Sequence, residues 1–218
     1  MDKLVTVSTI DMEKISLRSA NKVRTAHVLR EAALELFLEQ GYDATKTEEV
    51  AEKAGVSVRT FFRYFKTKDE VLFKGQRSWS ESFAEICRQQ PASMSLMEAM
   101  CATLVQLFTG LDRKAAIRFE KVIETSVTLR GRAELQQREN ADRMAAALAA
   151  RKGLAKPDAT CKLLGGVCML LQRSAVEDWR HSRSKVFLED MIVEKFQLLG
   201  KVYVGEAATS ATQQSARK

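Results

Sequence analysis

Between residues 21 and 40, apolar side chains return every third or fourth position. Val28, Leu29, Ala32, Ala33, Leu36 and Phe37 share one side, and Gly41 follows where such a helix ends. The spacing predicts an amphipathic helix. Residues 47–65 carry two shorter runs of the same kind, Val50, Ala51 and Ala54 before Gly55, then Val56, Phe61 and Phe65 after it. Two short helices packing their inner faces across a tight turn satisfy this pattern. Thr47 is positioned to cap the first and Ser57 the second. Ala51 is small enough for a close crossing, Val56 plugs the corner, and Gly55 accepts a left-handed backbone that costs other residues about 1 to 2 kcal/mol.

Beyond residue 66 the periodic stretches lengthen. Thr67 and Glu70 have capping-box spacing for a fourth helix running through Val71, Leu72, Trp79, Phe83 and Ile86 toward Gln90. Pro91 breaks it, and Ser95 with Glu98 opens a helix that is apolar around much of its circumference. Asp112 is placed to cap another, which carries Ile117, Phe119, Val122, Ile123 and Val127 and is interrupted near Gly131. A helix from about Ala133 follows, with Met144 and Leu148 inward and Gly153 as its stop. Pro157 and Asp158 introduce a helix with Leu163, Leu164, Val167, Cys168, Leu170, Leu171, Val176 and Trp179. The last helix offers Val186, Phe187, Met191, Ile192, Phe196, Leu199 and Val202.

The fold class is therefore all-α. A three-helix unit with a helix-turn-helix occupies residues 21–66, a connecting helix residues 67–90, and a larger helical domain for ligand binding and dimerisation residues 91–204. Residues 1–20 lack a helical stripe and carry Lys3, Lys14 and Arg18, with Lys22 and Arg24 just beyond. They read as a flexible basic arm able to reach a minor groove or a phosphate backbone, or as a leader without a role. Residues 205–218 are small, polar and Gln-rich and read as a disordered tail. The final two long helices hold more apolar surface than one small core needs, and a homodimer seam is its natural outlet.

The outward face of the second short helix holds Val58, Arg59, Thr60, Phe62, Arg63 and Tyr64, two cations and no acid. A rod of this size fits a DNA major groove, where arginine reads guanine edges and hydroxyls bind phosphates. Thr47, Ser57, Lys68 and Arg24 complete the expected DNA contacts. The net charge of +7 and pI near 9.3 favour polyanion partners, but charges nearly balance over the first 70 residues. The basic character relevant to DNA is concentrated in residues 59–68.

The same composition excludes other classes. No nucleophile elbow, phosphate loop, paired metal ligands or acid/base triad is present, and two histidines leave little for general-base chemistry. No enzyme activity, catalytic residue, metal or cofactor is expected. Cys87, Cys101, Cys161 and Cys168 lack metal-ligand spacing and sit in apolar helical pattern, as small core residues of a reducing compartment. Residues 1–20 have no sustained apolar core and no apolar run reaches the ~18 residues of a membrane span. A soluble, cytoplasmic protein with no membrane partner is expected.

Several linked features carry a resemblance. They are the helix ending in Phe37, Leu38, Glu39, Gln40, Gly41 and Tyr42, the approach from Thr45 to Thr47, the Ala51, Ala54, Gly55, Val56 and Ser57 series, and Tyr64, Phe65, Lys66, Thr67 and Lys68 opening the next helix. Over residues 24–72 the chain resembles the TetR (tetracycline-repressor-like) family of transcription regulators; beyond Leu72 the similarity is one of architecture. Phe62 stands where that family often has tyrosine, keeping stacking and thymine-methyl contact but losing a hydroxyl. The resemblance implies that the connecting helix relays ligand binding to the reading heads, and that the last two helices pair with their twins in a four-helix bundle.

Two short reading helices on a symmetric dimer read a palindromic operator, where one would touch too few base pairs. The expected function is a homodimeric regulator, a repressor released from double-stranded DNA by a small lipophilic ligand. Met97, Met100, Cys101, Leu104, Phe108, Phe119, Ile123, Leu171 and Trp179 are the candidate lining of its apolar site, or plain core. An architectural DNA-binding protein without a ligand is the alternative; it would coat DNA in proportion to length, without sequence preference.

Overall fold

A computed structural model describes the backbone of residues 9–74 and 76–215 and the side chains of residues 21–74 and 81–202. Among these residues every regular element is helical. They are α1 (Thr9–Gln40), α2 (Thr47–Lys53), α3 (Val58–Tyr64), α4 (Glu70–Phe73), α5 (Gln76–Gln89), α6 (Leu96–Phe108), α7 (Arg113–Glu124), α8 (Val127–Arg151), α9 (Ala159–His181) and α10 (Leu188–Ser215). The chain divides into two compact units. One comprises Met1–Lys74 with Arg118–Leu129, the other Gly75–Ile117 with Arg130–Lys218.

The first unit is built on an aromatic and aliphatic core. Leu29, Ala33 and Phe37 of α1 are fully buried with Val50, Ala51, Phe61, Phe65 and Val71. Leu34 is buried too, whereas Val28 is exposed, so the apolar stripe sits one step round from the expected one. Phe37 meets Tyr42 edge-on at 5.2 Å and Phe61 lies 5.7 Å from Phe65. The Arg30 Nε donates to the Val71 carbonyl at 3.1 Å, tying α1 to α4. Residues 118–129 join this unit through three contacts: Arg118 pairs with Glu31 at 3.0 Å, Phe119 meets Phe73 edge-on at 6.0 Å, and the Ser126 hydroxyl donates to Asp43 at 3.4 Å.

The second unit packs α5, α9 and α10 around α6. Phe83, Met100, Leu104, Met144, Leu148, Cys168, Trp179, Leu188 and Ile192 form its core. The Ser95 and Glu98 capping box opens α6, with bonds of 2.8 and 3.2 Å, and the Asp158 carboxylate accepts from the Cys161 N–H at 2.8 Å to open α9. The Lys152 ammonium and that N–H hold the Asp158 carboxyl well below the usual carboxylate range. Arg151, at the end of α8, donates to the carbonyls of Cys87, in the last turn of α5, and of Gln90, Pro91 and Met94, just beyond it.

Four boundaries differ from the sequence expectation. The supposed arm is helical from Thr9, because residues 9–20 contain neither glycine nor proline and include helix formers such as Met12, Leu17 and Ala20; residues 1–8 lie outside the described residues. Likewise α10 runs on to Ser215 through the alanine-rich stretch expected to be disordered, and residues 216–218 lie outside the description. The stretch expected as one connecting helix holds two, α4 and α5, and Gly75 between them lies outside the described residues. Gly131 does not interrupt α8. The break falls at Thr125 and Ser126, where the Ser126 hydroxyl accepts from the Leu129 N–H at 3.5 Å, and one glycine is tolerable in a helix of 25 residues.

Gly165 marks a close approach of α9 to the backbone of α8. A methyl group there would lie 2.4 Å from the Ala141 carbonyl oxygen and 3.1 Å from the Ala145 nitrogen, all backbone of α8, whereas one at Gly166 would meet nothing within 4 Å. Gly165→Ala is therefore expected to destabilise the protein by about 1 to 3 kcal/mol through overpacking. Gly166→Ala is expected to stabilise it by up to about 1 kcal/mol through helix propensity. Urea unfolding of the two variants measures the contrast.

Candidate nucleic-acid interface

The reading helix α3 is held from below and from one end. Gly55, at φ +66°, makes the turn out of α2, and the Val56 N–H donates to the Ala51 carbonyl at 2.9 Å. The Ser57 hydroxyl then accepts from the Thr60 N–H at 3.1 Å and lies 3.0 Å from the Thr60 hydroxyl, capping α3. Phe61 is the fully buried anchor of α3. With Phe61 inward, helical geometry turns Arg59, Phe62 and Arg63 outward, and all three are exposed, Phe62 at 49%. Val58, Thr60 and Tyr64 are half-buried at the margins. The Arg63 guanidinium lies 5.3 Å from the Tyr64 ring centre, so ring and cation form one stacked element.

The other expected contacts distribute unevenly. Arg24 is exposed on α1. Thr47 is half-buried but does not cap α2: it is the first helical residue, Lys46 holds the cap position, and Thr47 directs its hydroxyl to Glu48 at 3.1 Å. The start of α2 is instead closed by the Glu49 carboxylate, which accepts from the Lys46 N–H at 2.7 Å. Thr67 is likewise displaced as a cap, since the Glu70 carboxylate accepts from the Lys66 N–H at 2.7 Å.

Lys68 faces inward. Its ammonium donates to the carbonyls of Tyr42, at 2.5 Å, and Thr45, at 2.8 Å, and sits 4.1 Å from the Tyr42 ring centre. Burial pushes that ammonium below the usual lysine range against the pull of Asp43 and Glu49. Lys68 therefore fixes the segment between α1 and α2, while Lys66, which the sequence reading left out, is exposed beside α3. Its position just past the helix in the acid-free run 57–68 was the available signal.

The expected ligand lining splits between the units. Met100, Leu104 and Trp179 are buried in the core of the second unit, with Cys101 and Phe108 packed against it. Met97 and Leu171 are half-buried outside that cluster. Phe119 and Ile123 belong to the first unit. Periodicity shows that a residue faces inward but not which core it enters. Burial raises all four thiols above the usual cysteine range, as expected of core residues. Among the described residues no three His, Cys, Asp or Glu side chains gather to hold a metal, and no helix is long and apolar enough to cross a membrane.

A capped, acid-free helix set on a tight glycine turn defines a helix-turn-helix protein of the DNA-binding class. Residues 29–74 match the family profile described as bacterial regulatory proteins, tetR family, and residues 94–204 that of the MftR C-terminal domain. The chain belongs to the TetR family of transcriptional regulators. It is 31% identical over 146 residues to the HTH-type transcriptional regulator TcmR of Streptomyces glaucescens, covering 63% of this chain and 65% of TcmR. To HbdR of Aromatoleum it is 34% identical over 76 residues, 34% of this chain and 33% of that regulator. The chain thus spans less than two thirds of the length of these relatives. The transcriptional regulator FadR of Bacillus subtilis, crystallised with stearoyl-CoA, shares the fold with a TM-score of 0.55 at 20% identity, covering 79% of this chain and 96% of that one.

Removing the α3 cap tests how the reading helix is held. Ser57→Ala is expected to cost about 1 kcal/mol of stability, whereas Ser57→Asp, which keeps an acceptor for the Thr60 N–H, is expected to retain most of it. Thermal unfolding followed by circular dichroism separates the two.

Proposed function

We propose that the protein is a homodimeric repressor that binds a palindromic DNA operator through α3 and leaves it when a small lipophilic ligand binds the second unit. The observation that carries this reading is the outward face of α3, where Arg59, Phe62 and Arg63 project from a helix anchored by buried Phe61. Arg59 and Arg63 supply guanidinium donors for guanine edges or phosphates, and Phe62 an apolar surface for a thymine methyl. Ser57, Thr60, Thr47 and Tyr64 supply hydroxyls for the backbone, Val58 fills the margin, and Arg24 adds a phosphate contact from α1. Lys68 acts at one remove, by holding the carbonyls of Tyr42 and Thr45.

Dimerisation through α9 and α10 is supported by their uncovered apolar side chains. Leu163 is 67% exposed and Leu170 57%, seven residues apart on one face of α9, and Leu198 and Val202 are exposed on α10. A lipophilic ligand is supported by the Met- and Phe-rich core of the second unit. Stearoyl-CoA, bound by the structurally similar FadR, is the first compound to test for release.

A gel-shift assay with DNA selected from a random pool tests the reading. Arg59→Ala is expected to lower operator affinity about tenfold or more. Arg63→Ala is expected to flatten the salt dependence of binding by about one counterion if it holds a phosphate. Wild-type affinity in both variants would remove α3 as the reading head. Leu170→Arg is expected to give a monomer by light scattering and to lose operator binding with it.

A further inference from the structure

The two ends of α3 are held differently. Ser57, the residue before it, closes the start, whereas side chains of α4 hold the exit. Tyr64 is the last residue of α3, and its carbonyl lies in the turn where a helix runs out of its own N–H partners. The chain then leaves through Phe65 in extended conformation, φ −134° and ψ 127°, with Phe65 buried.

The two peptide groups that flank Phe65 each bond to α4. Before it, the Tyr64 carbonyl accepts from the Lys74 ammonium, which also lies 5.2 Å from the Phe65 ring centre. After it, the Lys66 N–H donates to the Glu70 carboxylate at 2.7 Å. Glu70 and Lys74 stand four residues apart, so one side of a single turn presents both. That turn is itself anchored. Val71, Leu72 and Phe73 are buried, the Val71 carbonyl accepts from the Arg30 Nε of α1 at 3.1 Å, and Phe73 meets Phe119 edge-on at 6.0 Å. A donor and an acceptor on a fixed support thus grip the exit of the reading helix on both sides of Phe65.

We propose that Glu70 and Lys74 are positioning residues for DNA reading, which set the end of α3 and through it the placement of Arg63. Tyr64 is the link: Lys74 holds its carbonyl, and the Arg63 guanidinium stacks 5.3 Å from the centre of its ring. The Lys74 ammonium acts on main chain and ring, not on a phosphate. Arg59, one turn earlier and beside the Ser57 cap, lies outside this control. Both roles rest on α3 as the reading helix, and they add to it two side chains that touch no base.

The test is a double-mutant cycle on the full-length protein, with the duplex selected from the random pool and circular dichroism at the assay temperature to confirm folding. Lys74→Met is expected to lower affinity about tenfold, the scale of one well-placed base contact. In an Arg63→Ala background the same change is expected to cost less than about twofold, because the group it positions is gone, whereas in Arg59→Ala it is expected to cost about tenfold again. Glu70→Ala, which frees the Lys66 N–H, is expected to show the same pattern. Lys74→Arg, still a donor to the Tyr64 carbonyl, is expected to bind within about twofold of wild type. The slope of log affinity against log salt is expected to be unchanged in Lys74→Met, where loss of a phosphate contact would lower it by about one counterion. Wild-type affinity in Lys74→Met, equal losses in the two arginine backgrounds, a lowered salt slope, or no rescue by Lys74→Arg each overturns the positioning role. Arg59→Ala and Arg63→Ala alone keep the two readings apart: wild-type affinity in both removes α3 as the reading head, while weakened binding in both with no coupling to Lys74 removes the positioning role only.

Discussion

The burial of Phe61 is the constraint on which the first unit depends. One fully enclosed ring on a seven-residue helix sets the rotation of that helix, because side chains one, two and four positions away are then fixed by 3.6-residue geometry. Arg59, Phe62 and Arg63 point outward as a result of what Phe61 does, with Phe62 set edge-on to the Phe61 ring at 5.4 Å and the Arg63 guanidinium 5.3 Å from the Tyr64 ring centre. A helix this short is unstable alone. It persists because Phe65 and Val50 close over the same ring cluster and Ser57 satisfies an end that would otherwise be unbonded.

The second unit solves a different problem, how to pack long helices closely while keeping polar groups inside. Gly165 lets α9 approach the backbone of α8, and the amide pair of Gln136 and Asn140 is satisfied between neighbouring turns. Asp178 pairs with Lys195, and Arg113 donates to the carbonyls of Arg180 and Ser182 while its Nε is buried. Trp179 is enclosed yet keeps its indole N–H bonded to the Val186 carbonyl at 3.2 Å, which draws the loop between α9 and α10 onto the core.

Much of the reading helix was legible because its determinants are local. Gly55, Ser57 and the Phe61 and Phe65 spacing act within one turn of where they stand, so a helix expected from Val58 to about Tyr64 is found at Val58–Tyr64. The caps of α2 and α4 were not, since each depends on which of several nearby acceptors reaches the open N–H first. Thr45 turns its hydroxyl back to the Gly41 carbonyl at 2.7 Å, Thr47 turns to the Glu48 carboxylate at 3.1 Å, and Glu49 and Glu70 accept from the N–H groups of Lys46 and Lys66, one residue before Thr47 and Thr67. Phe119 shows a second kind of blindness. Its periodicity marks it as inward-facing, but its partner, Phe73, is 46 positions away by the numbering and no local pattern points to it.

Among the described residues, the hydrogen bonds of Arg151 go to main-chain oxygens, those of Cys87, Gln90, Pro91 and Met94. Such a grip is indifferent to side-chain identity along the bend it holds. Residues 90–94 are thus free to drift in sequence as long as the path of the chain is kept, whereas the arginine itself has no substitute of equal reach and fan-shaped geometry.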